Sequence, residues 1–249
     1  MTAPAPFDRV AAIYDALWTG TETGRAQREI VWRAIDSLFK PGDEILDIGC
    51  GTGEDAVHLG RRGVRVSAID ASNEMVHIAA SRGVAATQLA VQELFRIHAQ
   101  YDGALSNFGP LNCIADLRGT AESMAQLVRP QGHVVVCMLN RTCIWEMVWF
   151  TLRLQLSKAF RRLARKAVQS SLAVAVYYPN ARDVRRAFRR DFELISSVGA
   201  GVFVPPSYVN LSARMVRRAG WLDLRVGHLP GLRALGDHRL YVFRRRSEC

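Results

Sequence analysis

The 249-residue chain predicts an α/β protein built on a doubly wound, mostly parallel sheet. Two observations carry this. Strand-length apolar runs alternate with helix-period segments from residue 26 to 139, and a glycine-rich turn joins the first run to the helix behind it. Composition agrees: 49% apolar and 22% charged residues, with a mean hydropathy of +0.01, describe one globular domain and exclude disorder, collagen and a small disulfide scaffold.

Ile30, Val31, Ile35 and Leu38 recur at helical spacing, and Pro41-Gly42 ends that helix. Strands are read at Glu44 to Ile48, Arg65 to Asp70, about Thr87 to Val91, Tyr101 to Ser106 and His133 to Leu139. Helices lie between them at Glu54 to Arg61, Asn73 to Arg82 and Leu117 to Val128, the last stopped by Pro130 and Gly132. Beyond Leu139, Ile144 to about Val168 reads as one long helix and Val174 to Tyr178 as strand-like. Asn180 caps a helix through Phe188, Phe192 to Ile195 is a strand, and Pro205-Pro206 precede a helix from about Ser207 to Arg218. Arg239 to Arg244 closes the chain as a strand, and Leu222 to Val226 is an alternative sixth. Residues 140–179 and 199–236 are therefore insertions around the sheet.

The N-terminal residues show no basic stretch followed by an apolar segment, which argues against a secretory signal. The densest apolar run, Cys143 to Leu156, is interrupted by Glu146, Thr151 and Arg153 and is too short for a membrane span. A cytoplasmic protein is expected. Cys50, Cys113, Cys137, Cys143 and Cys249 form no C-x-x-C pair and no metal-ligand spacing with histidine, so free thiols and no metal are expected. The net charge of +10 is uneven: residues 1–140 carry net −4 and residues 141–249 net +14. A basic second half suits nucleic acid, an anionic membrane surface or an acidic substrate, although 30 of the 33 basic residues being Arg also fits a GC-rich genome.

The chemistry lies in Leu46-Asp47-Ile48-Gly49-Cys50-Gly51-Thr52-Gly53, between the first strand and the next helix. Alternate glycines let the backbone turn tightly and approach a ligand at the carboxyl end of the strand. Glu54 stands where a nicotinamide-binding loop needs glycine, and no Lys-Ser/Thr follows, which excludes a phosphate-binding loop of the nucleotide hydrolases. Asp70 ends the second strand, suitably placed to accept two ribose hydroxyls.

With Phe7-Asp8, Ala11 and Tyr14-Asp15 upstream, this D-x-G-C-G-T-G loop resembles that of the class I, Rossmann-like S-adenosylmethionine-dependent methyltransferases of small-molecule type. The resemblance covers residues 7–139 and, more weakly, Gly236-Asp237-His238 with the last strand. It implies seven strands with the last antiparallel, and helical lid insertions. Residues 1–139 are then the cofactor-binding half with N-terminal cap helices, and residues 140–249 the acceptor-side lid plus the final strands, within one domain. It implies that Asp47, Gly49, Cys50 and Gly51 lie along the methionine part of S-adenosylmethionine, with S-adenosylhomocysteine as product. Asp70 holds the ribose, Ala71 and Met75 flank the adenine, Asn107 sits beside the transferred methyl, and Tyr14 closes over the cofactor. Many relatives carry an acidic residue where this chain has Ala90, which leaves adenine recognition to Gln92, Glu93 or backbone.

The sulfonium already activates its methyl, so such an enzyme mainly aligns acceptor, carbon and sulfur, and a general base matters only for a hydroxyl or carbon acid. His238 is the candidate base, because an antiparallel last strand begins on the cofactor side of the sheet. Asp237 need not orient it, since adjacent strand residues point to opposite faces. Acceptor contacts are expected from Phe108, Asn112 and Asn140 after the fourth and fifth strands, from Trp145 and Trp149 of the apolar 144–166 helix, and from Tyr178 and Tyr208. The segment from Asn107 to Asn112 lacks the paired prolines typical of enzymes methylating amino groups of bases or proteins, which weakens a nucleic-acid partner. Tryptophans followed by Lys158, Arg161, Arg162, Arg165 and Lys166 are also the pattern of an interfacial helix. The reading is a methyltransferase for a small, apolar or aromatic acceptor. The alternatives are a peripheral membrane lipid or quinone methyltransferase, a nucleic-acid methyltransferase, and a non-catalytic S-adenosylmethionine-binding module. The acceptor atom and the oligomeric state are not encoded in any motif.

Overall fold

A computed structural model describes residues 5–164, 167–170 and 172–247. Its strands are β1 (Glu44–Ile48), β2 (Arg65–Asp70), β3 (Ala85–Gln88), β4 (Tyr101–Ser106), β5 (Val128–Leu139), β6 (Val168–Gln169), β7 (Ala175–Val176), β8 (Phe192–Ala200) and β9 (His238–Arg245). Seven of them form one sheet in the order β3-β2-β1-β4-β5-β9-β8, while β6 and β7 make a separate small hairpin. Within the sheet β9 runs antiparallel to both β5 and β8, and the sheet's other pairings are parallel. The expected seven-stranded, doubly wound sheet is thus the observed one, and β8 extends five residues beyond its expected end at Ile195.

The helices are α1 (Ala11–Tyr14), α2 (Glu22–Leu38), α3 (Glu54–Arg61), α4 (Asn73–Ser81), α5 (Leu117–Leu127), α6 (Ile144–Thr151), α7 (Leu156–Ala159), α8 (Ala181–Phe188) and α9 (Ala213–Val226). Side chains alternate across the sheet and build two cores. On one face Ile45, Leu105, Val135, Cys137, Leu240 and Val242 pack with Val31, Ile35 and Phe39 of the α2 region and Leu59 of α3. On the other, Leu46, Ile48, Val134, Val136, Tyr241 and Phe243 pack with Met124 of α5 and Phe188 of α8.

Five expectations are corrected, the first being the third strand, expected at about Thr87 to Val91 and found at Ala85–Gln88. The long helix over 144–168 is instead α6, a turn at residues 152–155, α7 and a short 3-10 turn at Arg161–Leu163. The chain folds back because Glu146, only 1% exposed, draws in both Arg161 (2.8 Å) and Arg162 (2.8 Å), which a straight helix would carry some 20 Å away. Arg165 and Lys166 of the basic continuation, and Cys249, lie outside the described residues. The helix expected from Ser207 starts at Ala213, capped by Ser212, whose hydroxyl accepts from the Met215 N–H. It runs through Val226, so the alternative strand at 222–226 is helical. The strand-like stretch 174–178 contributes only the two residues of β7.

Phe188 is fully buried and stacks on Phe243 at 4.4 Å with 7° between the rings. Phe188→Ala is expected to cost about 3–5 kcal/mol, read as a lower urea midpoint with an unchanged slope.

Candidate active site

The glycine loop leaves β1 at its carboxyl end. Gly49 (φ +76°), Gly51 (φ +54°) and Gly53 (φ +82°) all occupy the left-handed region, which glycine enters without penalty. At Gly49 a Cβ would also lie 2.3 Å from Pro110 Cγ. At Gly51 a Cβ would meet nothing within 4 Å, so the loop faces open space there. The loop is held by Asp70 at the end of β2, whose carboxylate accepts from the Gly51 N–H (2.9 Å) and the Ser72 N–H (2.9 Å). Burial pushes the Asp70 carboxyl up, and these backbone donors pull it back. Cys50 is a neutral thiol at the loop, pushed up by burial.

The N-terminal segment closes over this loop through the residues that carried the resemblance. Asp8 accepts from Ser72 Oγ (2.5 Å), a contact that lowers its carboxyl pKa, and Asp15 accepts from Thr52 Oγ1 (2.7 Å) and pairs with Arg82. Tyr14 is therefore carried to the loop; burial raises its phenol, and Arg28, Asp70, Asp55 and Asp15 all bear on it electrostatically.

Beside the loop, Asp55 in the first turn of α3 is a hub. It pairs with Arg28 Nη1 (2.6 Å) and accepts from Trp32 Nε1 (2.7 Å) and Asn107 Nδ2 (2.8 Å). Asp47 and Asn107 continue the apolar rows of Ile45 and Leu105, and His238 that of Leu240, so all three arrive on the α2 side at the carboxyl edge. His238 pairs in register with Leu139, the last residue of β5. Its ring lies edge-on to Phe108 (5.0 Å) and Trp18 (6.4 Å), and the Arg28 guanidinium sits 5.1–5.2 Å from both of those rings. Phe108 is held at φ +57°, a strained conformation for an aromatic residue of the kind that collects at functional sites.

Several buried polar atoms here lack a partner among the described residues: Asp47 Oδ2, Asn107 Oδ1, Arg28 Nε and His238 Nδ1. Unpaired buried groups are costly, and the free oxygens of Asp47 and Asn107, at the ends of the strands beside the open glycine loop, fit a polar ligand with an amino acid end. Burial, with Asp55 and Asp70 nearby, raises the Asp47 carboxyl well above its usual range.

The acceptor side is built differently from expectation. The Asn112 amide is spent inside the fold: Oδ1 accepts from the Leu139 N–H and Nδ2 donates to the carbonyls of Leu139 and Tyr177. Asn140 Nδ2 likewise donates to the carbonyls of Ala234 (2.7 Å) and Gly236 (3.2 Å). Both asparagines are scaffold, because no donor is left over for a ligand. Glu93 caps its own 3-10 turn through the Ala90 N–H and pairs with Arg96, while Gln92 and Ala71 are exposed. Met75 is fully buried in α4. Trp145 donates its indole N–H to the Val202 carbonyl (3.0 Å), and Trp149 lies between Arg153 and Tyr208. Tyr178 lies against the Arg162 guanidinium.

Arg162 is the feature that sequence reasoning missed. Only 6% exposed, it joins Glu146 of the lid to Asp237 Oδ1 (2.7 Å) and the Asp237 carbonyl (3.0 Å). Asp237 is consequently turned toward its neighbour, with Oδ2 3.5 Å from His238 Nδ1, contrary to the alternation argument. Asp237 lies one residue before β9, where the pleat no longer dictates direction. Against the cost of burial, His238 and Arg162 hold the Asp237 carboxyl below its usual range, while burial pushes His238 down. Arg28 and Gln27 carried a legible signal: they share helical spacing with Val31 and Ile35 on the buried face of α2.

The methyltransferase-domain family matches residues 23–197. A demethylmenaquinone methyltransferase of Mycobacterium marinum is 29% identical over 227 residues, covering 90% of this chain and 87% of that protein. A ubiquinone biosynthesis O-methyltransferase of Alkalilimnicola ehrlichii is 34% identical over 106 residues, 40% of this chain and 43% of that one. Among solved structures, a putative S-adenosylmethionine-dependent methyltransferase from Listeria monocytogenes superposes with a TM-score of 0.64 at 15% identity, covering 88% of this chain and all of the other.

Two outcomes test the site. Asp70→Ala should weaken S-adenosylmethionine binding on the order of tenfold to a hundredfold, the loss of hydrogen bonds to a charged acceptor, and unchanged calorimetric affinity in a folded variant would refute its role. His238 takes a proton less readily folded than unfolded, so the stability it permits above pH ~6.5 is lost as the pH falls below that value. Urea titrations from pH 7.5 to 5 should show the wild type losing stability faster than His238→Gln.

Proposed function

This chain belongs to the methyltransferase-domain family as a class I S-adenosylmethionine-dependent methyltransferase, and we propose that it methylates a small apolar or aromatic acceptor, with His238 as the base. The observation that carries the proposal is the buried imidazole of His238, its Nδ1 3.5 Å from Asp237 Oδ2, set beside the Trp18 and Phe108 rings at the carboxyl edge that also holds Asp47 and Asn107. In the division of labour we propose, residues 1–139 hold the cofactor and residues 140–249 supply the lid and the base.

When bound, S-adenosylmethionine supplies a methyl group made electrophilic by its sulfonium and leaves as S-adenosylhomocysteine. Gly49, Cys50 and Gly51 present backbone along the methionine end, and Asp47 and Asn107 offer it unspent oxygens. Asp70 receives the ribose hydroxyls while it keeps the loop N–H bonds, and Tyr14 covers the cofactor from the cap. Ala71, Gln92 and the adjoining backbone remain near the adenine end as exposed candidates for its edge.

Trp18 and Phe108, beside His238, would give an aromatic acceptor its walls, and Trp145, Trp149, Tyr178 and Tyr208 remain further candidates from the 140–249 half. Asp237 beside Nδ1 favours the proton there, which leaves the lone pair on Nε2. Burial keeps His238 neutral at the working pH. As the acceptor atom forms its bond to the methyl carbon and the carbon–sulfur pair stays on sulfur, Nε2 takes the acceptor's proton. The names of two relatives, a demethylmenaquinone methyltransferase and a ubiquinone biosynthesis O-methyltransferase, support this class.

His238→Gln is expected to slow single-turnover methylation of a phenolic or hydroquinone acceptor by about 10²-fold or more, with the affinity for S-adenosylmethionine unchanged. Near-full turnover from pH 6 to 9 would mean that transfer rests on positioning alone and that the acceptor is an amine, a thiolate or an already ionised group.

A further inference from the structure

The turn between α6 and α7 carries the most exposed large apolar side chains of the lid. Leu152 is 77%, Leu154 90% and Leu156 56% exposed, with Val148 (47%) and Phe160 (42%) beside them along the chain. Leu154 adopts φ +56°. Backbone sterics at such a position favour glycine or asparagine, and contact with water favours a polar residue. Leucine meets neither demand, and a medium other than water would satisfy the second, so that burial of the leucines there offsets the backbone cost.

Charge identifies that medium. Residues 141–180 contain seven basic residues and one acidic residue, Glu146, and that carboxylate is buried between Arg161 and Arg162. No other carboxylate lies in the segment. Arg153 and Lys158 flank the leucines, and each lies over an aromatic ring, Trp149 at 3.4 Å and Phe150 at 5.7 Å, so their charges are held close to the apolar turn. Apolar side chains at an apex with a collar of cations and no free anion complement a bilayer surface that bears anionic headgroups.

We propose that the 152–156 turn is a membrane-docking tip that inserts its leucines among the acyl chains of an anionic leaflet, with Arg153 and Lys158 at headgroup level. The tryptophans, which sequence pattern alone would choose as the anchors, are not the inserting group: Trp145 is bonded to Val202 and Trp149 is sandwiched between Arg153 and Tyr208. The proposal stands whatever the acceptor is. If the acceptor is lipophilic, the lid that covers it is also the part that touches its source.

The test is co-sedimentation of the full chain with vesicles of phosphatidylcholine alone and with phosphatidylglycerol added. Binding is expected only with the anionic lipid. Leu154→Gly relieves the backbone and removes the apolar tip, so it should fold at least as stably as the wild type yet bind the anionic vesicles several-fold more weakly. Combined with Leu152→Ser and Leu156→Ser, the loss should exceed tenfold, with S-adenosylmethionine affinity unchanged as the control for folding. Arg153→Gln with Lys158→Gln should weaken binding and flatten its salt dependence. No binding to anionic vesicles overturns the proposal. So does binding that the leucine variants leave intact, which would assign it to arginines elsewhere. Self-association in solution that the same variants abolish would show that a second copy of the chain covers the turn instead.

Discussion

The carboxylate of Asp55 is the fixed point around which the candidate site is assembled. It stands in the first turn of α3, directly behind the glycine loop, and it takes one donor each from Arg28 and Trp32 of α2 and from Asn107 at the end of β4. A buried ion pair is expensive to desolvate, and it holds only where further hydrogen bonds saturate both partners. Here the carboxylate is saturated and the guanidinium is not, since Arg28 Nε remains unpartnered among the described residues and Asn107 keeps a free oxygen. The network therefore anchors two elements against the loop while leaving polar atoms aimed at whatever lies above it.

A second charged network does the same for the lid. Arg162 spans Glu146 and Asp237, so α6 is tied to the residue before β9. The two networks meet at His238, which lies beside Asp237 on one side and beside the Trp18 and Phe108 rings that face Arg28 on the other.

What the sequence made legible follows from the range of the interactions involved. Sheet strands and the glycine loop are written in local patterns of period two and in residues that tolerate positive φ, so β1, β2 and β4 were placed to the residue. The lid is set by contacts of 16 and 75 residues' separation, from Arg162 to Glu146 and to Asp237, and helical periodicity over 144–168 carries no trace of them. The polar groups of the site were half visible. Asp47 and Asp70 sit in the motif, whereas Arg28 and Asp55 look like ordinary helix residues until α2 and α3 are packed together. Asn112 and Asn140 mislead for the opposite reason: they lie at the correct sheet edge, but Leu139 at the end of β5 and Tyr177 take up the amide of Asn112, and the Ala234 and Gly236 carbonyls that of Asn140.

The short cap that runs from α1 into Trp18 touches both halves of the molecule. Asp15 rests on Thr52 in the glycine loop, and Trp18, three residues on, forms a wall against Phe108 and His238. Its tether to Arg82 is one-third exposed and thus screened by salt, unlike the Asp55 pair inside. One short segment therefore borders both the glycine loop and the aromatic wall, and on the proposed reading whatever displaces Asp15 from Thr52 also displaces Trp18 from Phe108 and His238, so the two ligands are felt by the same few residues.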